Sequence, residues 1–180
     1  MDKRSRKDVI AALSGEERLR VRLRANGELY LRTTAVIQQT RRLRENVQPA
    51  AEFMADMWLL SHAIRGTLKF GEFCLELSEE HEAIELRLAI GEFRRQVPNA
   101  VQLRNVLEHF DDYLLGIGWN KTAVNDPTFF YERGDRLRIH VAEMVIDVDA
   151  AEAASINLAT VAIAGSTDES RDSAPQLPRG

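Results

Sequence analysis

A single cysteine stands among 180 residues, so Cys74 has no partner for an internal disulfide. That fits a reducing, cytoplasmic setting. Lysine is nearly as scarce: Lys3, Lys7, Lys69 and Lys121 are the only four, and arginine supplies the other 20 of the 24 basic residues. Long apolar runs are missing too. The longest span a few residues, as in Met57-Trp58-Leu59-Leu60, which excludes a membrane-spanning helix and predicts no membrane partner. No apolar stretch follows the basic opening from Met1 to Lys7, so no secretory signal is expected. Five prolines and ten glycines are too few for a fibrous or low-complexity chain. What is present is an ordinary soluble composition, at a length that buries one core.

Charge is unevenly placed. Residues 1–48 hold 12 basic and 6 acidic groups, whereas residues 49–180 hold 12 and 22, giving the net −4 of the chain. A basic leading segment suits phosphates. The alternative is a solvated helix face whose arginines pair with acids elsewhere.

Hydrophobic spacing predicts a mainly α protein: an antiparallel bundle of about four helices, then a small C-terminal β meander and a terminal helix. Residues 1–27 read as a basic arm. Within it, Ser14 and Glu17 form a capping-box pattern. Arg18 to Arg24 alternate leucine or valine with arginine, and Asn26-Gly27 is a hairpin signal. A two-residue turn there would pair Val21 with Arg32 and Arg24 with Leu29, so neither face becomes cleanly apolar. The helical reading is favoured, with Asn26 or Gly27 as a break between two helices. The second carries Leu29, Thr33, Val36, Thr40 and Leu43 on one stripe. The bundle then occupies 28–118. Its later stripes are Phe53 to Leu68 with Trp58 in the core, Ala83 to Val97 behind an N-cap at Ser78, and Leu103 to Ile117. Residues 119–165 read as the meander plus a helix capped by Asp149 and Glu152. Residues 166–180 read as a disordered tail.

Several chemistries are absent. No histidine follows a glutamate by three positions, the spacing by which di-metal bundles place two ligands one turn apart. Cys74 lies between Phe73 and Leu75, the setting of a buried structural thiol rather than a nucleophile. Gly116 and Gly118 end a helix instead of starting one, the wrong polarity for cradling phosphate. No cofactor or metal is expected.

One cluster remains, Arg104-Asn105-Val106-Leu107-Glu108-His109. At about 100° per residue, Leu103, Val106 and Leu107 fall on the core side, while Arg104, Asn105, Glu108 and His109 spread over the polar arc. Arg104-Asn105 followed by His109 resembles the motif of HEPN domains, in which an arginine and a histidine lie on a late helix of a small bundle. The resemblance covers about residues 28–118. It implies a homodimer that places two motifs across its two-fold axis, with the 99–118 helix at or near the interface. Many members are metal-independent endoribonucleases of toxin–antitoxin, defence or RNA-processing systems; others bind without cleaving. It therefore implies RNA or a cognate protein as partner, with Arg104 holding phosphate, His109 as general base and Asn105 orienting either. The surrounding stretch also resembles uncharacterised actinobacterial proteins. The alternative is a non-catalytic interaction or scaffold domain whose arc is a solvated face with Arg104–Glu108 pairing.

Overall fold

Seven-residue spacing in the longest helix sets the architecture. Arg22, Leu29, Val36 and Leu43 recur every seventh position, and Asn26, Thr33 and Thr40 form a second row four residues on. All seven are buried. Such a seam keeps facing its neighbours along a gently coiled helix pair. The computed structural model describes residues 5–45, 50–108, 129–141 and 144–172. They form α1 (Arg6–Ala11), α2 (Gly15–Glu45), α3 (Ala50–Leu77), α4 (Glu80–Gln96), α5 (Ala100–Glu108), β1 (Phe129–Arg133), β2 (Leu137–Val141), β3 (Met144–Asp147) and α6 (Val148–Asp172).

The capping box at the start of α2 forms as its spacing implies. Ser14 N–H donates to the Glu17 carboxylate at 2.9 Å, and Glu17 N–H donates to the Ser14 hydroxyl at 3.3 Å. From there α2 runs unbroken to Glu45. The expected break at Asn26-Gly27 is absent, and the 27/28 boundary falls inside one helix. The reason is burial. Asn26 lies on the core side and accepts from the Cys74 thiol at 3.2 Å, so it serves as a packing residue rather than a turn former.

The bundle is made by α2, α3, α4 and α6. Asn26 meets Cys74 and Arg42 meets Asp56, so α2 and α3 are antiparallel. Glu72 pairs with Arg94, which sets α4 against α3. Arg44 reaches Asp149, while Gly165 lies beside Arg22, so α6 returns antiparallel along α2. The terminal helix is thus a wall of the core: Ala151, Ala154, Leu158 and Ala162 are buried in the same apolar cluster as Leu29, Ile64 and Phe93. It reaches Asp172, past the expected boundary at residue 165 and into the segment expected to be a disordered tail. α5 packs on α3.

Three local expectations are corrected. Ser78 does not cap α4; its hydroxyl donates to the Cys74 carbonyl at the end of α3, and Glu79 takes the N-cap position, its N–H donating to Glu82. Asp149 does not cap α6. Asp147 does, accepting from Ala150 N–H at 2.9 Å, while Asp149 accepts from the Leu137 N–H. Burial raises the Asp147 carboxyl, but the Ala150 N–H and Arg136 together outweigh it and hold the group below its ordinary range. Trp58 is exposed instead of in the core, its ring 4.1 Å from that of His62.

The meander forms as read. β1, β2 and β3 pair antiparallel in order, with Phe130 opposite His140 and Ile139 opposite Ile146. Leu137, Ile139 and Val141 point inward and Arg138 outward, the period of a half-buried strand. Tyr131 meets Phe53 at 4.4 Å between ring centroids, and Arg133 donates to the Leu43 carbonyl at 2.7 Å, which docks the sheet on the bundle.

Two helical glycines differ in what surrounds them. A Cβ at Gly71 would stand 2.8 Å from a Leu158 methyl, on a side chain with no exposure, whereas one at Gly91 meets nothing within 4 Å. Gly71→Ala is therefore expected to lower unfolding stability by about 1–3 kcal/mol through overpacking. Gly91→Ala should raise it by about 0.5–1 kcal/mol through helix propensity alone. Denaturant unfolding of both variants checks the pair.

Candidate functional site

The residues of the Arg104/Asn105/His109 arc are described only in part. α5 carries Arg104 and Asn105 consecutively in helical backbone, with Asn105 half-buried and Val106 in the core. His109 lies outside the described residues, as does most of the expected 99–118 stripe, and so do Trp119 and the side chains of Arg104 and Glu108. Of the other histidines, His81 is exposed, as expected for a first-turn residue among acids. His140 stacks on Phe130 at 4.3 Å and lies 3.5 Å from the Glu132 carboxylate on the same sheet. The hairpin register sets Arg133 opposite Leu137, three positions from His140 along the strand.

The most constrained chemistry lies elsewhere. Arg22 donates from Nη1 to Glu82, and both side chains are at least nine-tenths buried. The heptad of α2 carries Arg22 inward, and the first turn of α4 brings Glu82 to meet it. Each charge offsets part of the cost of burying the other. Gly165 of α6 closes over the pair: a Cβ there would stand 3.0 Å from a Glu82 oxygen and 3.3 Å from Arg22 Nη2. A cleft of about 200 Å³ opens beside it, lined by Ser78, His81, Glu85 and Val161. Its hydroxyl, on Ser78, is turned away to a backbone carbonyl, so the cleft lacks an assembled nucleophile and base among the described residues.

Cys74 sits on the other side of Arg22's neighbourhood, bonded to Asn26 and fully buried. Burial pushes its thiol up to about 11, against a smaller opposing pull from Arg22. This matches the structural cysteine that its apolar flanks suggest.

The basic segment is largely satisfied within the molecule. Arg20, Arg32 and Arg41 pair with Glu16, Glu28 and Glu45 one turn away along α2. Arg6 reaches Glu76, Arg42 reaches Asp56, and Arg44 holds both Asp149 and Glu152. Beside these charges α2 also exposes large apolar side chains: Leu23, Tyr30 and Leu31 are 55%, 61% and 59% exposed. Periodicity reading missed this face because alternate leucines and arginines in 18–24 suggest a strand, and nothing local says that Arg22 goes in and Leu23 goes out. On α4, Ile84 and Leu88 are likewise exposed, one turn apart.

Among the described residues, no helix is long and apolar enough to cross a membrane, and no group of three or more histidine, cysteine, aspartate or glutamate side chains is placed to hold a metal ion. Compared with protein-family models, curated proteins and solved structures, the chain matches none of them.

Removing one half of the buried pair leaves an uncompensated charge. Arg22→Met should cost about 3–5 kcal/mol of unfolding free energy, and the double change Arg22→Met with Glu82→Leu should recover most of that loss. The two measurements together form a cycle on one pair. For Cys74, iodoacetamide at pH 8 should label the unfolded chain and spare the native one. The unfolded thiol, near 9.0, loses its proton before the folded one, near 11. Stability from this group is therefore present below pH 9 and lost as pH rises between those two values. Native-state labelling as fast as that of the denatured chain would contradict the burial.

Proposed function

We propose that this chain is a non-catalytic helical interaction domain that associates with protein partners through the outward face of α2. The observation that carries the reading is the exposure of Leu23, Tyr30 and Leu31 on one side of a helix whose arginines are largely engaged by acids. Exposed apolar side chains gathered on one element mark association surfaces. Arginines held by carboxylates one turn away neutralise each other's field and offer less to a phosphate backbone.

A second reading keeps the HEPN-like character. The helical placement of Arg104 and Asn105 on α5, against α3 in the bundle, supports it. Arg104 then clamps a phosphate bidentately, His109 takes a proton from a 2′-hydroxyl, and Asn105 orients one of them. The substrate is RNA, cleaved by transfer of the phosphodiester to that hydroxyl, and the working unit is a homodimer.

The two readings separate in one set of assays. Under the first, purified protein leaves total RNA intact and shifts no single-stranded RNA at low micromolar protein in 50 mM salt. Leu23→Glu with Leu31→Glu should then abolish association while changing stability by no more than about 0.5 kcal/mol per site, as exposed substitutions do. Under the second, the protein cleaves RNA, and His109→Ala and Arg104→Ala each abolish cleavage with melting temperature unchanged. RNA cleavage that His109→Ala removes would overturn the first reading.

A further inference from the structure

A cleft of about 300 Å³ opens where α3 faces the junction of α4 and α5. That volume is at the lower end of the range for small-molecule sites, roughly 300–1,000 Å³. Among the described residues its lining includes Arg65 and Glu72 of α3, Arg94 in the last turn of α4, and Val97, Pro98 and Val101 at the entry to α5. Arg65 is half-buried, and its Nη1 has neither access to solvent nor a hydrogen-bond acceptor. Among the described residues it enters no ion pair. Glu72, the one carboxylate in the described lining, is taken by Arg94 at 2.8 Å. α5 opens beside the cleft with no acid in its first turn. Arg24 and Arg87 also lack a partner among the described residues, but both are exposed and water solvates them. A guanidinium drawn part-way out of water without a counter-charge is costly unless something else supplies one.

We infer that this cleft binds the carboxylate of a small organic anion with a short apolar body, and that Arg65 holds it. The planar guanidinium fork matches a carboxylate and donates two parallel N–H bonds to its oxygens. No residue of α2 lines the cleft, so this site stands apart from the association face.

Charge and lining select this ligand over its alternatives. Arg94 and Glu72 cancel, which leaves Arg65 as the uncommitted charge of the described lining. A singly charged carboxylate balances it. A phosphate dianion would bring excess negative charge close to Glu72, and a cation would meet two guanidinium groups. Val97, Pro98 and Val101 supply aliphatic surface, of which Val101 is exposed. Such a wall covers hydrocarbon better than it covers the hydration shell of an inorganic ion. Arg94 is a positioning residue here: by holding Glu72 it keeps that carboxylate from competing for Arg65.

The test uses the full chain with benzoate as the probe. In an NMR titration the amide shifts of Leu68, Val97 and Val101 should saturate within about 20 mM benzoate. Benzamide has nearly the same shape without the charge and should shift none of them. Arg65→Met keeps the aliphatic stem and should weaken benzoate binding at least about tenfold, through loss of the charge-assisted contact. Its melting temperature should hold or rise, because the charge removed has no partner among the described residues. Arg87→Met removes an exposed cation elsewhere on α4 and should bind as the wild type does. Absence of saturation, equal binding of benzamide, or undiminished binding by Arg65→Met overturns the inference. So does a lowered melting temperature in Arg65→Met, which would make Arg65 a structural residue. Inorganic phosphate binding more tightly than benzoate would overturn the carboxylate assignment. Association through α2 and RNA cleavage are read by separate assays, which none of these results touches.

Discussion

A charge pair with almost no access to water ties the first long helix to the third. Arg22 and Glu82 are each costly to bury alone, so their pairing links the two segments that carry them, 60 positions apart in sequence. The pair also explains the end of α6. Where the helix passes over the two side chains it has glycine, Gly165, because even a methyl group would stand at contact with both. Three helices are thereby fixed in rotation and in height, and the apolar layers of Leu29, Val36 and Leu43 follow in register below.

This constraint also separates inside from outside on α2. Arg22 points inward and Leu23, about 100° further round the helix, points outward. An arginine in the core and leucines in solvent invert the usual assignment. The inversion is coherent, because the buried arginine has its carboxylate and the exposed leucines share one arc with Tyr30. Arg20, Arg32 and Arg41 are engaged at short range by acids one turn away, and the exposed leucines and Tyr30 lie among them.

Much of the fold was legible in the sequence, because most of its helices and all three strands obey simple periods. Leu29 to Leu43, Ala83 to Val97 and Leu137 to Val141 each repeat at the spacing of their element, and all are buried as that spacing implies. The region 18–27 was harder. There the heptad continues in Arg22 and Asn26, polar residues whose partners, Glu82 and Cys74, are distant in sequence, so periodicity could not see them. The caps at 78 and 149 were misplaced by one or two residues, since each stretch offers several oxygens and only the chain's path selects among them. The candidate site was less legible. Arg104, Asn105 and His109 were found by motif, and structure extends that only to the helical backbone of the first two. The α2 face was missed, because an exposed leucine becomes informative only once burial is known.

α6 forms one long wall of the bundle yet follows the other three walls in sequence. Its Leu158 fits against Gly71, and its first turn is held by Arg44, more than a hundred positions earlier. While the chain is being synthesised, α2, α3 and α4 emerge well before their fourth side exists. Leu29, Ile64 and Phe93 share their buried cluster with Ala151, Ala154, Leu158 and Ala162 of α6, so the cluster is complete only with α6 in place. Closing it requires a contact between distant parts of the chain, which is slow to form. The contacts that complete the core are therefore the ones synthesis makes possible last among these four helices.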